Sequence, residues 1–287
     1  MLNIDLHCHS NVSDGLLSPA DVVARAAANG VHALALTDHD DVAGIAAARA
    51  AADETGLTLI PGVEISVSWG GHTVHIVGLR IDPAHPELAA GLAGIRLGRI
   101  ERARRMGDDL ARSGVAGAYE GAYGHAVNKQ MVGRTHFARW LVAQGHAPDI
   151  RAAFRRFLTR GHPGYVEHEW TTLENAVGWI RASGGMAVIA HPGRYAFNAR
   201  ELHRLLDAFR SLGGEGIEVI TGSHHPSEYG KFANLARAFG LKASRGADFH
   251  ASGEGIDIGR LPALPHYCRP VWQDWPELAP HLSLSPA

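Results

Sequence analysis

Cysteine is nearly absent: Cys8 and Cys268 are the only two in 287 residues, too few for the disulfide framework that holds small secreted domains together. Neither sign of charge is in excess. With 27 Lys and Arg against 29 Asp and Glu, a formal charge of −2, no global basic field marks a nucleic-acid binder, although a local basic groove is compatible with that balance. No run approaches the roughly 20 consecutive apolar residues of a membrane-spanning helix, so no membrane association is expected. The first residues carry neither the charged nor the apolar segment of a secretion signal, and a cytoplasmic location is the expectation. Aromatics are modest at 7%, no internal repeat is evident, and nothing points to an obligate protein partner.

What is present is an alternation of strand and helix. Leu2 to His7 reads as a strand, followed by a helix over Pro19 to Asn29 with Ser18 as N-cap and Gly30 beyond its end. Ala33 to Leu36 is a second strand, Val42 to Thr55 a helix closed by Gly56, and Leu57 to Ile60 a third strand. Glu64 to Val67 and Thr73 to Leu79 predict a hairpin across Gly70-Gly71. The alternation stops between about Pro86 and Val166, where Leu92, Ile95, Ile100 and Met106 mark a long helix, with shorter ones over Arg134 to Gln144 and Asp149 to Leu158. It resumes with a helix over Thr172 to Ser183 and strands at Met186 to Ala190, Gly216 to Ile220 and Lys242 to Gly246, separated by helices at Arg200 to Leu212 and Ser227 to Phe239. This predicts a mainly parallel, closed or nearly closed sheet from residues 1–85 and 167–287, with an all-helical insertion over 86–166. The tail from Leu261 onward has Trp272 and Trp275 to bury and reads as a wrapping segment.

The chain also carries 19 histidines, and a subset falls where chemistry would place it. Residues two apart on a strand share a face, so His7 and His9 can aim two imidazoles at one point while Cys8 points into the packing. Asp14 lies close behind. His39, Glu64, His191, Asp248 and His250 each fall at or just after a predicted strand, where α/β barrels carry their reactive groups, and His75 lies inside one. Imidazoles and carboxylates together suit manganese, zinc or iron. Nine candidate ligands exceed one ion's needs and suggest two or three divalent ions sharing bridging groups. Asp5, Asp38, Asp40 and Asp41 adjoin the ligands and read as groups that orient them or cap helices.

The motifs Asp5-Leu6-His7-Cys8-His9-Ser10 with Asp14-Gly15, Thr37-Asp38-His39-Asp40, Gly62-Val63-Glu64, Ala190-His191-Pro192 and Asp248-Phe249-His250 resemble the polymerase and histidinol phosphatase (PHP) family. The resemblance covers Ile4 to about Gly259. Gly133-Arg134-Thr135-His136 and the run Phe157 to Val166 look like its small stand-alone phosphoesterases. It implies a distorted (β/α)7 barrel with a helical insertion, and a trinuclear site. Implied at one ion are His7, His9, Glu64 and Asp248; at the second, Glu64, His75 and His191; at the third, Asp14, His39 and His250. No ligand position is substituted.

A hydroxide bridging such ions is a nucleophile at neutral pH, and a phosphoryl group is its natural target. His224, just past a strand, is the candidate general acid, with Asp14 and its water as competitor. Arg134 at a helix N-terminus is the first candidate for a substrate phosphate, with Lys129, Arg160, Arg194 and Ser223 beside it. Basic groups at two places fit a nucleotide with two phosphates, and Tyr165, Trp170, Tyr195 or Phe197 could stack a base. The resemblance implies two activities: removal of the 3′-phosphate from 3′,5′-nucleotide bisphosphates, preferred here for the lack of basic excess, or 5′-3′ digestion of short RNA. Histidinol phosphate fits less well, because the insertion does not resemble that branch. A different class is a metal-dependent accessory module without catalysis, against which the intact ligand set weighs.

Overall fold

The computed structural model describes residues 2–282. In chain order the elements are β1 (Ile4–Asp5), α1 (Pro19–Ala28), β2 (Ala33–Leu36), α2 (Ile45–Thr55), β3 (Thr58–Trp69), β4 (His72–Leu79), α3 (Pro86–Arg112), α4 (Ala118–His125), α5 (Arg134–Ala143) and α6 (Ile150–Ala153). They continue as β5 (Thr171–Thr172), α7 (Leu173–Ala182), β6 (Met186–Ile189), α8 (Ala199–Ser211), β7 (Gly216–Thr221), α9 (Tyr229–Ala238), β8 (Lys242–Gly246) and α10 (Ala279–Leu282).

The sheet runs β1-β2-β3-β4-β6-β7-β8, and only β4 is antiparallel to its neighbours. The ends meet: Leu6 N donates to Arg245 O at 3.0 Å, Asp248 N to His7 O at 2.8 Å and His9 N to Phe249 O at 2.9 Å. Seven strands thus close a distorted barrel, with the two-residue β5 alongside β3.

β3 is one strand of 12 residues, where the sequence suggested two pieces around Pro61-Gly62. The reason is a change of partner. Residues 58–61 pair with β2 and residues 62–69 with β4, so Pro61, which has no N–H to give, sits where one ladder hands over to the next. α4 was not foreseen, because Gly121 and Gly124 mask its signal. Gly121 is required by packing: a Cβ there would meet the Trp140 ring at 2.0 Å. α2 starts at Ile45 instead of Val42, after Gly44.

Two apolar layers surround the sheet. Ile4, Ala33, Ile60, Val77 and Val188 fill the barrel, and the outer faces of the strands pack against α1, α2, α7, α8 and α9. The segment from α3 to α6 has its own cluster around Met106, Leu110, Phe137 and Leu141. The 27-residue α3 belongs to both layers, with Leu88, Leu92 and Ile95 against the barrel and Ala103, Met106 and Leu110 in the helical cluster. It is the strut that holds the helical segment over one rim. The tail plugs the barrel instead of wrapping it: Val271, Trp275 and Leu278 join the inner cluster, while Trp272 is half-buried beside it. Residues 283–287, the end of the expected tail, lie outside the described residues.

Candidate metal centre

His7 and His9 follow β1, His39 follows β2, Glu64 and His75 lie within β3 and β4, His191 follows β6, and Asp248 and His250 follow β8. Asp14 lies in the turn after His9. These nine residues, and no others among those described, form four overlapping groups whose ligand atoms lie within 4.8 Å of one another: His7-His9-Glu64, His39-Glu64-His75, His7-His191-Asp248 and His9-Asp14-His39-His250. His9 and His39 each belong to two groups, so the sharing is wider than the partition implied by the resemblance. Glu64 is the hub. Its Oε1 is 2.8 Å from His191 Nε2 and 2.9 Å from His75 Nδ1, and its Oε2 is 2.8 Å from His39 Nδ1 and 3.4 Å from both His7 and His9 Nε2.

Outer bonds turn His7, His250, Asp248 and Asp14 inward. His7 Nδ1 is 2.7 Å from Glu218 Oε1, which directs the Nε2 lone pair to the centre. His250 Nδ1 lies 2.9 Å from Asp248 O, with the same effect. Asp248 Oδ2 accepts from Ser223 Oγ at 2.9 Å and Arg194 Nη1 at 3.0 Å, and Asp14 Oδ2 accepts from Thr135 Oγ1 at 2.8 Å. The second oxygens, Asp248 Oδ1 and Asp14 Oδ1, are buried without a hydrogen-bond partner, as are His9 Nδ1, His39 Nδ1, His191 Nδ1 and Glu64 Oε2. A buried polar atom left unsatisfied costs about 1–3 kcal/mol, and divalent cations among these atoms would satisfy them. The donor set therefore fits metal.

The backbone is strained at the same place. His191 (φ 26°), Asp248 (φ 54°) and Asp40 (φ 44°) hold positive φ without being glycine, a cost of about 1–3 kcal/mol each. Asp40 is gripped by an ion pair with Arg99 and accepts from Ser66 N at 2.7 Å. Asp38 accepts from Ser10 and Ser13, and Asp5 from Ala247 N and Gly259 N, so both brace the loops that carry the candidate ligands.

Burial alone would raise the Asp14, Glu64 and Asp248 carboxyls, but the surrounding imidazoles hold all three well below the usual range. Burial brings His9 and His191 down to about 3. His250 is buried too, yet Asp14 takes it up to about 9, and Glu218, Glu64 and Asp248 raise His7 against its burial. The carboxylates draw positive charge into the centre, which protons on imidazoles or divalent ions can supply.

The helical segment roofs this rim, leaving a cleft. Asp14, His39, His75, Arg194 and His250 line the barrel side, and Arg99, Arg102, Arg134, Thr135, Phe154 and Tyr165 the other. Arg134 stands 5.9 Å from the Phe154 ring and has no carboxylate partner among the described residues. Arg102 is buried, donates through Nε to Val166 O at 3.2 Å, and lies 5.4 Å from the Trp170 ring, also unpaired. Its burial, with Arg134 and Arg99 nearby, lowers it to about 9.

Several expected substrate groups are placed elsewhere. Lys129 Nζ donates to Tyr123 O and Ala126 O, both at 2.7 Å, closing the end of α4. Arg160 is exposed and paired with Glu167. His224 is buried with both nitrogens engaged: Nε2 accepts from Gly193 N at 2.9 Å and Nδ1 faces Val219 O at 3.3 Å, with the ring stacked on Phe232. It has no proton to offer a leaving group, and the general-acid expectation is corrected. Tyr195 is a strut, its hydroxyl accepting from His75 N at 2.9 Å and donating to Ala190 O at 2.8 Å. Phe197 packs on Trp69 and His72, and Arg99 and Arg102 lie over Trp170, leaving Tyr165 as the cleft's candidate for stacking. The sequence reading missed Glu218, although a carboxylate inside the apolar strand Gly216-Ile217-Glu218-Val219-Ile220 was a signal. It also missed Arg102 and Thr135.

A family model for the PHP domain matches residues 5–222, taking in every candidate ligand except Asp248 and His250. A 3′,5′-nucleoside bisphosphate phosphatase from Chromobacterium violaceum is 56% identical over 96% of both chains. A 5′-3′ exoribonuclease from Haemophilus influenzae is 42% identical, covering 94% of this chain and 97% of that one. A solved structure from Chromobacterium violaceum, described as an amidohydrolase with bound sulfate and no metal, is also 56% identical and superimposes with a TM-score of 0.92, covering 94% of this chain and 95% of that one.

Proposed function

This chain belongs to the PHP domain family, and from that premise we propose that His7, His9, Asp14, His39, Glu64, His75, His191, Asp248 and His250 hold two to three divalent ions, manganese first. The chain is a metal-dependent phosphoesterase that removes the 3′-phosphate of 3′,5′-nucleotide bisphosphates to leave the 5′-nucleotide. Such ions, when bound, supply Lewis acidity and a water of lowered pKa. The protein supplies the rest. Glu64 at the hub and the inward oxygens of Asp14 and Asp248 fix where the scissile phosphate sits, and Arg194, paired to Asp248 at 3.0 Å, reaches the same place.

The observation that carries the choice of substrate is the pair Arg102 and Arg134, guanidinium groups turned into a roofed cleft without a carboxylate between them. A second phosphate would supply the missing charge, with bidentate geometry available to each. The higher identity to the bisphosphate phosphatase supports the same reading. Digestion of short RNA remains the second reading, since a relative of that name matches nearly the whole chain. No helix among the described residues is long and apolar enough to cross a membrane, and we infer a cytoplasmic enzyme acting on small nucleotides. Turnover of 3′,5′-adenosine bisphosphate against 5′-phosphorylated tri- to pentaribonucleotides tests the choice. We expect the bisphosphate to be favoured in kcat/KM by at least about tenfold, worth about 1.4 kcal/mol; faster release of mononucleotides from RNA overturns it.

A further inference from the structure

The two sides of the centre are braced by different parts of the molecule. Glu218, inside the barrel, holds His7 through Nδ1 at 2.7 Å and the His191 backbone N–H at 2.6 Å. Asp14 is held from outside the barrel. Thr135, in the first turn of α5, donates to its Oδ2 at 2.8 Å, and Arg139, one turn further on, donates to its backbone oxygen at 2.6 Å. Apart from the histidines, no described residue other than Thr135 bonds that carboxylate. Its other oxygen, Oδ1, is buried without a hydrogen-bond partner, 3.3 Å from His250 Nε2 and 4.0 Å from His39 Nε2 and His9 Nδ1.

We infer that Thr135 is a positioning residue: its hydroxyl sets the rotation of the Asp14 carboxylate and so shapes the His9-Asp14-His39-His250 group into a cation site braced from α5. This rests on the metal reading above. An Asp carboxylate turns freely about its terminal torsion unless one oxygen is held, and groups that orient metal ligands typically contribute 10–100-fold in affinity.

The test counts ions. Wild type, Thr135→Val and Thr135→Ser are stripped, titrated with manganese, and assayed by elemental analysis and by the manganese paramagnetic signal. We expect Thr135→Val to bind its weakest ion about 10–100-fold less tightly than wild type while the tighter ions are unchanged. Thr135→Ser should restore the wild-type value. Equal ion number and affinity in wild type and Thr135→Val overturn the inference and leave the metal reading intact. A wild type that binds fewer than two ions sinks the metal reading itself. Thr135→Ala repeats the measurement if the valine lowers the melting temperature of the metal-free protein, and the same two outcomes decide it.

Discussion

Around the barrel rim, Glu64, Asp14 and Asp248 each keep a buried oxygen that no hydrogen bond satisfies. Across the cleft, Arg102 and Arg134 face the same space without a carboxylate of their own. Arg194 pairs with Asp248 on the first wall and Arg99 reaches across to Asp40, yet those buried oxygens keep no hydrogen-bond partner, and the Arg102 and Arg134 guanidinium groups no carboxylate partner, among the described residues. A ligand that joins them must bring metal ions to the first and a negatively charged group to the second. On the function proposed above, hydrolysis belongs to the strand ends and discrimination among substrates to Arg102 and Arg134 of the helical segment.

The largest break in that division comes from the barrel side. Asp248→Asn replaces the free inward oxygen or the one held by Ser223 and Arg194, and we expect loss of at least one ion per chain and at least about a thousandfold in kcat, read by elemental analysis and phosphate release. Glu218→Gln keeps the shape but weakens the bond that orients His7, with about 10–100-fold weaker metal binding expected. On the helical side, Arg102→Ala and Arg134→Ala should each raise KM for a bisphosphate about tenfold or more while ion number and kcat hold. A fall in ion number in either variant would erase the distinction between the walls.

Smaller effects sharpen it. His224→Gln should leave kcat within about threefold, with a loss of about 1–3 kcal/mol in stability from the unmatched Gly193 N–H and Val219 O; loss of one limb of the pH–rate profile would restore it as an acid. In the metal-free protein, His250 titrates at about 9, above the ordinary value of 6.5. Its contribution to stability is complete below pH 6.5 and is lost as pH rises through about 9. The melting temperature of stripped protein should therefore decline over that interval. Metal affinity should rise over the same interval, because ions displace the proton; a metal-free melting temperature that climbs instead would contradict the charge balance assigned to the centre.

The convergence of the nine residues was legible because a barrel repeats its geometry: strand ends meet, so His and Asp at successive strand ends could be assigned to one place. Cys8 joining the apolar layer while His7 and His9 turn to the centre is the same regularity. The helical segment has no such rule. Arg99 and Arg102 sit in a charged stretch of α3 that reads as a solvated face, and only its docking against Trp170 and the rim buries them. His224 misled for the opposite reason. A Gly-Ser-His-His run after a strand has the look of chemistry, but its use as a strut between Gly193 and Val219 depends on contacts 31 and five residues away. Pro61 looked like a strand end because the change of partner along β3 is a property of the closed sheet.

The central claim, metal chemistry on one wall and recognition of a second phosphate on the other, is tested most directly by crossing substrate with protein. Phosphate release from 3′,5′-adenosine bisphosphate and from 3′-adenosine monophosphate is measured for manganese-loaded wild type and for the Arg102→Ala/Arg134→Ala double variant. The account predicts that wild type favours the bisphosphate by at least about tenfold in kcat/KM and that the double variant loses that preference while still hydrolysing the monophosphate at the wild-type rate. A preference that survives removal of both arginines would contradict it.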